Sequence, residues 1–409
     1  MLKISTFVIN KYQRNCYQDN KSIHMLNFEG NFTSQLPKDE LSIFAVMGKI
    51  AAQHDCINLS QGFPDFPVSE KLIDRIYHYM KEGHNQYAPM SGVPALNQQI
   101  SKVVNDLHGA SYNPETEINI TAGATQAIYT VISAVIKDDD EAIIFEPAYD
   151  CYGPAIRLNG GIVKHAQLRL PDYTIDWEEV SRMITHRTKL IIINTPHNPT
   201  GSIIGEEDMK RLGKILSGTD ILVISDEVYE HLIYDDIIHH SAAKFPELAN
   251  RTFVIGSFGK TFHATGWKMG FVLAPENLMK EFRKAHQWVV FTVNTPIQYA
   301  LADYLKDKRN YMNLGKFYQK KRDYFVRKIK NSRFKIVPSY GTYFQLLDYS
   351  DISDEPGMDF AVRMIKDHGI ASIPLSPFYQ DKSETQRLRF CFAKEKETLD
   401  KAAEILCKI

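Results

Sequence analysis

The chain has 409 residues, of which 44% are apolar and 24% charged, and its 48 basic side chains nearly balance 49 acidic ones. A net charge of −1 gives no electrostatic argument for nucleic-acid or membrane partners, and no apolar run approaches the roughly 20 residues that span a bilayer. We therefore expect an ordinary globular protein with room for two domains.

The five cysteines are scattered along the chain without a C-x-x-C pair. This pattern predicts neither a disulfide scaffold nor a metal site, and it favours the reducing cytoplasm. Residues 1–40 are interpreted as an N-terminal extension. Its basic start has a weak similarity to a transit peptide but is poor in serine and alanine, and Met25 offers a second start.

The first predicted element is a helix over residues 41–53, where apolar residues recur at spacings of four and three. It leads into the turn-rich stretch INLSQGFPDFP, in which the backbone around Gly62 could face a ligand or simply connect two domains. The next loop, NQYAPMSGVPAL, carries Tyr87 between two helical stretches. A loop tyrosine is usually an amphipathic surface residue.

From residue 117 onward, short β-branched runs alternate with amphipathic helices. This order is typical of an α/β fold in which helices cover both faces of a mostly parallel sheet. Ligands bind such sheets at the carboxyl ends of the strands, so the residues after each run are candidates for a site. Strands are predicted over 118–121, 142–145, 190–194, 221–225, 252–255 and 269–273, and helices over 125–137, 206–216 and 277–290.

The first three strand ends carry groups that suit a ligand. TAGATQA places Gly123, Ala124 and Thr125 at a helix start that suits a phosphate, although Thr125 could be a plain helix cap. EPAYDCY puts Tyr149 where it could stack on a planar ligand or fill space. NTPHNPTG contains Asn198, which could bond a ligand oxygen or tie down its own loop.

The next two strand ends add charge. SDEVYEHL offers Asp226, whose carboxylate needs a cationic or N–H partner if it is buried, and Tyr229 three residues on. Capping of the following turn is the alternative role for Asp226. SFGKTFHATGWKMG brings Ser257, Lys260 and Lys268 together with glycines and hydroxyls. Lysine can neutralise an anion or react with a carbonyl group, but most single lysines lie on the surface.

Two nucleotide-binding alternatives fail on the spacing of their glycines. GSFGKT looks like the end of a phosphate loop, but the pattern G-x-x-x-x-G-K-[ST] would require glycine where Val254 lies. A dinucleotide-binding dehydrogenase would require G-x-G-x-x-G after its first strand, and this fingerprint is missing.

Beyond about residue 310 the pattern changes to that of a smaller α+β domain. A long amphipathic helix over 314–329 precedes FKIVPSYGTYFQLLDY, a helix over 359–368, the run RLRFCFAK and a C-terminal helix. In that run Arg389 has a planar guanidinium group that suits a carboxylate held at two points. Arg387 lies on the same face and is a competing candidate.

One ligand accounts for these groups together, pyridoxal phosphate. Its phosphate suits a helix start with hydroxyls and a cation, its ring nitrogen a carboxylate, and its phenolic oxygen an amide and a tyrosine. Its ring face suits an aromatic side chain and its aldehyde a lysine. The sequence offers each of these groups at the end of a strand.

The chain resembles the class I pyridoxal-phosphate-dependent aminotransferases of the aspartate aminotransferase superfamily from about residue 41 to its C-terminus. The similarity is greatest to the branch of bacterial methionine aminotransferases and of kynurenine and glutamine aminotransferases. It implies a large domain over 69–310 with a mostly parallel seven-stranded sheet, a small domain over 311–409, and a segment over 41–68 that packs with the small domain. The motifs that carry it are SQGFPDFP, NQYAPMSG, TAGATQAIY, NTPHNPTG, ISDEVYEHL, SFGKTFHATGWKMG and LRFCFAK.

The resemblance also implies residue roles. Lys260 would bond the cofactor aldehyde and then move a proton at the substrate α-carbon, while Asp226 would pair with the ring nitrogen. Arg389 would hold the substrate carboxylate with the Gly62 backbone and the Asn198 side chain. The other implied cofactor contacts are Asn198 and Tyr229 at the phenolic oxygen, Tyr149 on the ring, Gly123, Ala124, Thr125, Ser257 and Lys268 around the phosphate, and Tyr87 from the neighbouring subunit of a homodimer.

One departure from the family pattern concerns Lys268. Many class I relatives carry arginine at this position, and lysine keeps the charge but loses the two-point grip on a phosphate.

The reaction implied by the resemblance moves the α-amino group of an amino acid to a 2-oxo acid in two half-reactions. Methionine is the preferred donor, with aromatic amino acids and kynurenine as further candidates, and the lack of an evident second arginine disfavours aspartate. A cysteine-S-conjugate β-lyase on the same fold is the alternative. A cofactor-binding transcriptional regulator would need a helix-turn-helix module, for which the residues before 41 are too few and too irregular.

Overall fold

The computed structural model describes residue 28, residues 30–36 and residues 41–409. The chain divides into two units, Met1–Lys38 and Asp39–Ile409, and every described helix and strand lies in the second. The described residues of the first unit form neither a helix nor a strand. Most of the predicted N-terminal extension, including Met25, lies outside the described residues.

The strands fall into three sheets with different architectures. The described strands are β1 Ile57–Asn58, β2 Ile118–Thr121, β3 Glu141–Glu146, β4 Ile162–Gln167, β5 Thr188–Asn194, β6 Leu222–Asp226, β7 Thr252–Ser257, β8 Gly270–Leu273, β9 Lys335–Ile336, β10 Phe344–Asp348, β11 Ile370–Ala371, β12 Ile373–Pro374 and β13 Arg387–Cys391. The largest sheet has the order β2-β8-β7-β6-β5-β3-β4, and only β8 in it runs antiparallel to its neighbours. The predicted mostly parallel seven-stranded sheet is confirmed.

Helices cover both faces of this sheet. The described α-helices are α1 Ile43–Ala52, α2 Glu70–Lys81, α3 Pro94–His108, α4 Ala124–Val135, α5 Tyr152–Leu158, α6 Trp177–Met183, α7 Glu206–Leu216, α8 Pro246–Ala249, α9 Phe258–Thr261, α10 Glu276–Val289, α11 Thr295–Tyr304, α12 Arg309–Met312, α13 Leu314–Ile329, α14 Gly357–His368 and α15 Lys396–Leu406. Short 3₁₀ turns lie at Ala242–Lys244, Thr265–Trp267 and Ser376–Phe378.

The two faces of the sheet bury different sets of side chains because successive residues of a strand point to opposite sides. In β5, Ile191 and Ile193 belong to one apolar cluster, whereas Leu190 and Ile192 belong to the other. Helices α4 and α10 cover the second face, with Met279 among its fully buried residues. Burial on both faces explains why these strands read as continuous apolar runs in the sequence.

The smaller sheets join the two ends of the chain. Strands β12, β13, β10 and β9 form an antiparallel sheet in that order. Strand β1 pairs in parallel with β11, so Ile57 lies beside Ile370, and the Cys391 N–H donates to the Leu59 carbonyl at 2.8 Å. The segment after α1 is therefore fixed to the C-terminal part of the chain. The predicted boundaries at residues 68 and 310 stay predictions.

Two departures from the sequence prediction concern strands of the large sheet next to the site or at its edge. Strand β4 was missed because it lies at the edge of the sheet, where Ile162 and Gln167 are exposed and the run IVKHAQ has few apolar residues. Strand β6 ends at Asp226 rather than before it, since Asp226 still pairs with Asn194 of β5. Among the described residues, no helix has the length and apolar character needed to cross a bilayer.

Two glycines with left-handed backbones allow a test of how tightly the loop before α3 packs. Gly83 has a φ of +88° and open space around a built Cβ, whereas a Cβ on Gly92, φ +110°, would lie 2.2 Å from Cγ1 of the fully buried Ile120. We expect Gly83→Ala to lower the free energy of unfolding by about 1 kcal/mol through backbone strain alone. Gly92→Ala should cost about 1–3 kcal/mol more, because the Ile120 contact adds to the strain.

Denaturant unfolding of both variants at one protein concentration measures this difference. Equal losses in the two variants would contradict the packing argument.

Candidate active site

The carboxyl ends of the parallel strands open into a cavity of about 260 Å³. All but one of the predicted site residues line this cavity, and the exception is Tyr87. The predicted residues that line it are Gly62, Gly123, Ala124, Thr125, Tyr149, Asn198, Asp226, Tyr229, Ser257, Lys260, Lys268 and Arg389. Groups more than 300 positions apart in the chain therefore share one space.

Lys260 lies on the single-turn helix α9, directly after strand β7. The Ser257 hydroxyl begins this turn by accepting a hydrogen bond from the Lys260 backbone N–H at 3.3 Å. At the other end of the side chain, Nζ donates to the Tyr343 hydroxyl at 3.0 Å and to the Gly62 carbonyl at 3.3 Å. Burial, and after it the nearby Arg389 cation, lower the pKa of the Lys260 amine to about 8. An amine with this pKa is a nucleophile near neutral pH.

Asp226 lies at the deep end of the cavity and is 4% exposed. Its Oδ2 accepts a hydrogen bond from the Tyr152 hydroxyl at 2.6 Å, and its Oδ1 accepts the Val228 N–H at 3.3 Å. Burial raises the pKa of the Asp226 carboxyl to about 6, while these donors oppose the shift. A buried carboxylate with few partners is suited to a protonated ring nitrogen.

The loop that follows β5 is held by Asn194. The Asn194 Oδ1 accepts the Asn198 N–H at 2.8 Å, and its Nδ2 donates to the Asp226 carbonyl at 2.9 Å. The Asn198 side chain is thereby free to face the cavity, where its Oδ1 accepts a hydrogen bond from Arg389 at 2.6 Å. Asn198 thus lies between the strand ends and the arginine of the small antiparallel sheet.

Arg389 is almost completely buried, with 1% of its surface exposed. Nη1 donates to Asn198 and Nη2 donates to the Ser60 carbonyl at 3.2 Å, but the buried Nε has no protein partner. Its guanidinium lies 3.8 Å from the centre of the Phe344 ring and 4.9 Å from that of Phe44. Burial lowers its pKa from the usual value. An unpaired N–H in this setting costs about 1–3 kcal/mol.

The competing Arg387 is engaged outside the cavity. Its Nη1 donates to the Tyr173 hydroxyl at 2.6 Å, and its Nε lies 3.6 Å from the Asp348 carboxylate. The structure therefore brings Arg389, and not Arg387, to the candidate site.

The start of helix α4 approaches Lys268 closely. Gly123 precedes the helix with a φ of +84°, and a Cβ built there would lie 3.4 Å from the Lys268 Nζ. A Cβ on Gly270 would lie 3.1 Å from the Ala124 amide nitrogen and 2.8 Å from the Gly256 carbonyl. A helix start with free amides and an adjacent amine makes a suitable binding site for a phosphate.

Aromatic residues line the sides of the cavity. Tyr149 packs edge-on against Tyr152 at 5.7 Å, and burial raises its pKa. Tyr229 packs edge-on against Tyr343 at 5.2 Å, and burial likewise raises its pKa. Both phenols are therefore neutral hydrogen-bonding groups at physiological pH. Together with the phosphate site, the carboxylate and the lysine, they form a donor set that fits pyridoxal phosphate.

Tyr87 is the one predicted residue that does not reach the cavity of its own chain. Its side chain is 82% exposed, and its ring meets that of Phe291 edge-on at 5.3 Å. It lies beside a separate groove formed by the loop around Gln86 and the segment around Asn294.

Sequence reasoning missed several residues that contact the site. Tyr152 and Asn194 stand in motifs that were singled out for Tyr149 and Asn198, so their proximity was the available signal. Phe44 lies beside the apolar stripe of α1, and nothing in the periodicity separates it from a packing residue. Tyr343 lies in the turn YGTYF, where its contact with Lys260 depends on the tertiary fold.

Comparison with known proteins agrees with this geometry. Residues 54–406 match the family model described as aminotransferase class I and II. The chain is 45% identical to methionine aminotransferase of Escherichia coli K12 over 91% of this chain and 97% of that protein. It is 33% identical to kynurenine–oxoglutarate transaminase 1 of Rattus norvegicus over 90% and 95% of the two chains.

Solved structures give the same result for the fold. The crystal structure of Escherichia coli YbdL, which identified a methionine aminotransferase function, superposes with a TM-score of 0.91 at 44% identity over 93% of this chain and 100% of that one. An aspartate aminotransferase of Thermus thermophilus superposes with a TM-score of 0.85 at 25% identity, over 93% and 99% of the chains. The predicted aspartate aminotransferase-like fold is confirmed. The chain therefore belongs to the aminotransferase class I and II family, and it is a pyridoxal-phosphate-dependent transaminase.

Proposed function

We propose that this transaminase uses methionine as its preferred amino donor and accepts aromatic amino acids and kynurenine less readily. The observation that carries this proposal is the make-up of the cavity wall. Among the described lining residues Arg389 is the only arginine, which is enough for one carboxylate. The wall around it is apolar and aromatic, with Phe44, Phe63 and Phe344 among its members.

Such a wall favours a long apolar side chain over a second carboxylate, because an unpaired charge would be costly to bury. A thioether fits an aromatic wall well, since sulfur makes favourable contacts with ring edges. The high identity to a methionine aminotransferase points in the same direction.

Pyridoxal phosphate supplies an aldehyde that bonds to amines and a ring that accepts electrons from the substrate α-carbon. Lys260 is the residue we assign to the aldehyde, because its Nζ points into the cavity and has a lowered pKa. Once free, its amine would remove the proton from the substrate α-carbon and later give that proton back. Asp226 would keep the ring nitrogen protonated, and its hydrogen bond from Tyr152 fixes the carboxylate in place.

We assign the other cofactor contacts from the positions of the residues around the cavity. Tyr149 would cover one face of the ring, and Asn198 and Tyr229 would bond the phenolic oxygen. The start of α4 with Lys268 would hold the phosphate. The residues proposed for the phosphate are Gly123, Ala124, Thr125, Ser257 and Lys268.

The substrate carboxylate is assigned to Arg389. Arg389 lines the cavity beside Asn198, which accepts a hydrogen bond from its Nη1. The Gly62 backbone lies close by, since Arg389 Nη2 donates to the carbonyl of Ser60, two residues before Gly62. The Phe344 ring contacts both Gly62 and the Arg389 guanidinium.

A homodimer is the assembly that we propose, with Tyr87 acting at the neighbouring subunit's cofactor. The support is an exposed apolar patch around Tyr87, in which Trp288 is 85% exposed and Met90 and Phe291 are also exposed. Patches of this kind on a protein surface mark interaction sites. The four described cysteines are free, which supports a reducing compartment, the cytoplasm, and cell fractionation would test this location.

The first test of the function is a panel of amino donors in single half-reactions followed by cofactor absorption. We expect methionine to convert the bound cofactor fastest, aromatic amino acids and kynurenine more slowly, and aspartate at least about 100-fold more slowly, because a buried unpaired carboxylate costs about 3 kcal/mol or more. A cysteine S-conjugate supplied alone tests the β-lyase alternative.

Lys260→Ala is the control, which should lose both amine transfer and the pH-sensitive absorption band of the lysine-bound cofactor. Pyruvate and ammonia from the conjugate without any amine transfer from methionine would reject the proposal.

The second test separates the two neighbouring arginines. Arg389→Ala should lower kcat/KM of the amino-acid half-reaction by about 100-fold or more, because it removes a buried charge-assisted grip on the carboxylate, while cofactor binding is kept. The matched control is Arg387→Ala, which breaks only the contacts to Tyr173 and Asp348 and should leave the half-reaction within a few-fold of the wild type. The reverse order of effects would move the carboxylate site to Arg387.

The third test addresses the dimer. Tyr87→Ala and Lys260→Ala should each impair transamination, and co-expression of the two variants should restore activity to roughly a quarter of the wild-type level. This follows because half of the dimers are mixed and each mixed dimer contains one site with both residues intact. Sedimentation measures the mass of the assembly alongside. A dimeric mass with no restored activity would place Tyr87 outside the neighbour's site.

A further inference from the structure

Tyr343 is the side chain that meets Lys260 most directly, and no role in the proposed reaction has yet been given to it. Its hydroxyl donates to the Gly62 carbonyl at 2.5 Å and accepts from the Lys260 Nζ at 3.0 Å. Since the hydroxyl proton is directed at Gly62, the oxygen lone pairs are left for the lysine. The three groups come from the segment after β1, from α9 and from the residue before β10.

The position of Tyr343 is fixed by its surroundings. Its side chain is fully buried, and its carbonyl accepts the Phe392 N–H at 3.0 Å. The ring packs between those of Tyr229 at 5.2 Å and Tyr318 at 5.8 Å. A hydroxyl held in this way is a preorganised acceptor rather than a mobile one.

The Gly62 backbone lies very close to the rings of Tyr343 and Phe344. A Cβ at Gly62 would lie 2.9 Å from Cζ of Phe344 and 3.8 Å from Cε2 of Tyr343. Only glycine therefore lets the backbone approach the two rings, and this approach brings the Gly62 carbonyl within reach of both Tyr343 and Lys260.

From these contacts we propose that Tyr343 is a positioning residue that receives the ε-amine of Lys260 when a substrate displaces it. The inference rests on the proposed bond between Lys260 and the cofactor. When the amino group of a substrate takes the lysine's place, the C=N double bond to Nζ breaks and a C=N double bond to the substrate nitrogen forms. Of the three protons of the substrate ammonium, two pass to Nζ, which leaves as a neutral amine, and one stays on the substrate nitrogen. No oxidant or water is consumed.

The released amine needs acceptors for its N–H groups because it stays in a cavity that also contains the cations of Arg389 and Lys268. Tyr343 and the Gly62 carbonyl are the two acceptors that Nζ contacts in the structure. They keep the amine beside the site, from which it reaches the substrate α-carbon. A lysine without this anchor would be released less readily and would be oriented less well for the proton transfer.

The test uses the holoenzyme and two ligands related to methionine. The first, α-methylmethionine, can displace Lys260 but has no α-hydrogen to lose, and its binding is followed by cofactor absorption. The second, 4-(methylthio)butanoate, has the carboxylate and side chain but no amine, so it binds without displacing Lys260.

For Tyr343→Phe we expect the Kd of α-methylmethionine to rise by about fivefold to tenfold, the usual effect of one lost hydrogen bond between neutral groups. The Kd of 4-(methylthio)butanoate should stay unchanged. The isotope effect of α-deuterated methionine on the half-reaction should increase, because the proton transfer becomes slower relative to the other steps.

The matched control is Tyr318→Phe. Tyr318 is buried in the same aromatic cluster, but its hydroxyl bonds His263 Nδ1 at 2.8 Å instead of Lys260. This variant should bind both ligands like the wild type, and it reports any general effect of removing a buried hydroxyl here.

The proposal would be overturned if Tyr343→Phe bound α-methylmethionine as the wild type does, or if both ligands were weakened equally, which would mean that Tyr343 only supports Gly62. If another amino acid proves the best donor, the same pair of analogues is made from that amino acid. A wrong substrate assignment then shows in the donor rates of the wild-type enzyme. A wrong role for Tyr343 shows only when the Kd values of the variants are compared with those of the wild type.

Discussion

The burial of two cations in one cavity is the constraint on which the rest of the site depends. Lys260 and Arg389 both face this space, and each lowers the stability of the other's charge. Burying like charges together is costly unless acceptors surround them. The acceptors present are oxygens of backbone and neutral side chains, the carbonyls of Ser60 and Gly62 and the side chains of Asn198 and Tyr343.

This choice of acceptors has a chemical consequence. A protein carboxylate next to Arg389 would form an ion pair with it and compete with a substrate carboxylate. Neutral oxygen acceptors leave the guanidinium able to form an ion pair with a ligand. The same reasoning applies to Lys260, because an ion pair would raise the pKa of its amine instead of leaving it at about 8. The buried Asp226 has its own donor, the Tyr152 hydroxyl.

The sequence predicted those parts of the site that depend on the position of a single strand. Buried parallel strands are continuous apolar runs, so their ends, and with them Asp226 and Ser257, could be located within two residues. Contacts made only by the tertiary fold could not be located. Because side chains alternate between the two faces of a strand, Arg387 and Arg389 lie on the same face of β13, and the sequence pattern does not separate them. Their neighbours on the paired strand β10 do, since Asp348 lies opposite Arg387 and Leu346 lies opposite Arg389.

The residues of the site come from different sheets and segments of the fold. Asp226 ends strand β6 of the mostly parallel sheet, and Lys260 lies on helix α9 directly after β7. Arg389 lies on β13 of the antiparallel sheet, Tyr343 directly precedes β10, and Gly62 follows the short strand β1. The pairing of β1 with β11 and the hydrogen bond from the Cys391 N–H to the Leu59 carbonyl hold the segment that contains Gly62 against the antiparallel sheet. Strand β10 also pairs with β13, and the Phe392 N–H donates to the Tyr343 carbonyl. A shift of the antiparallel sheet against the larger one would therefore move Arg389 and Tyr343 together relative to Lys260.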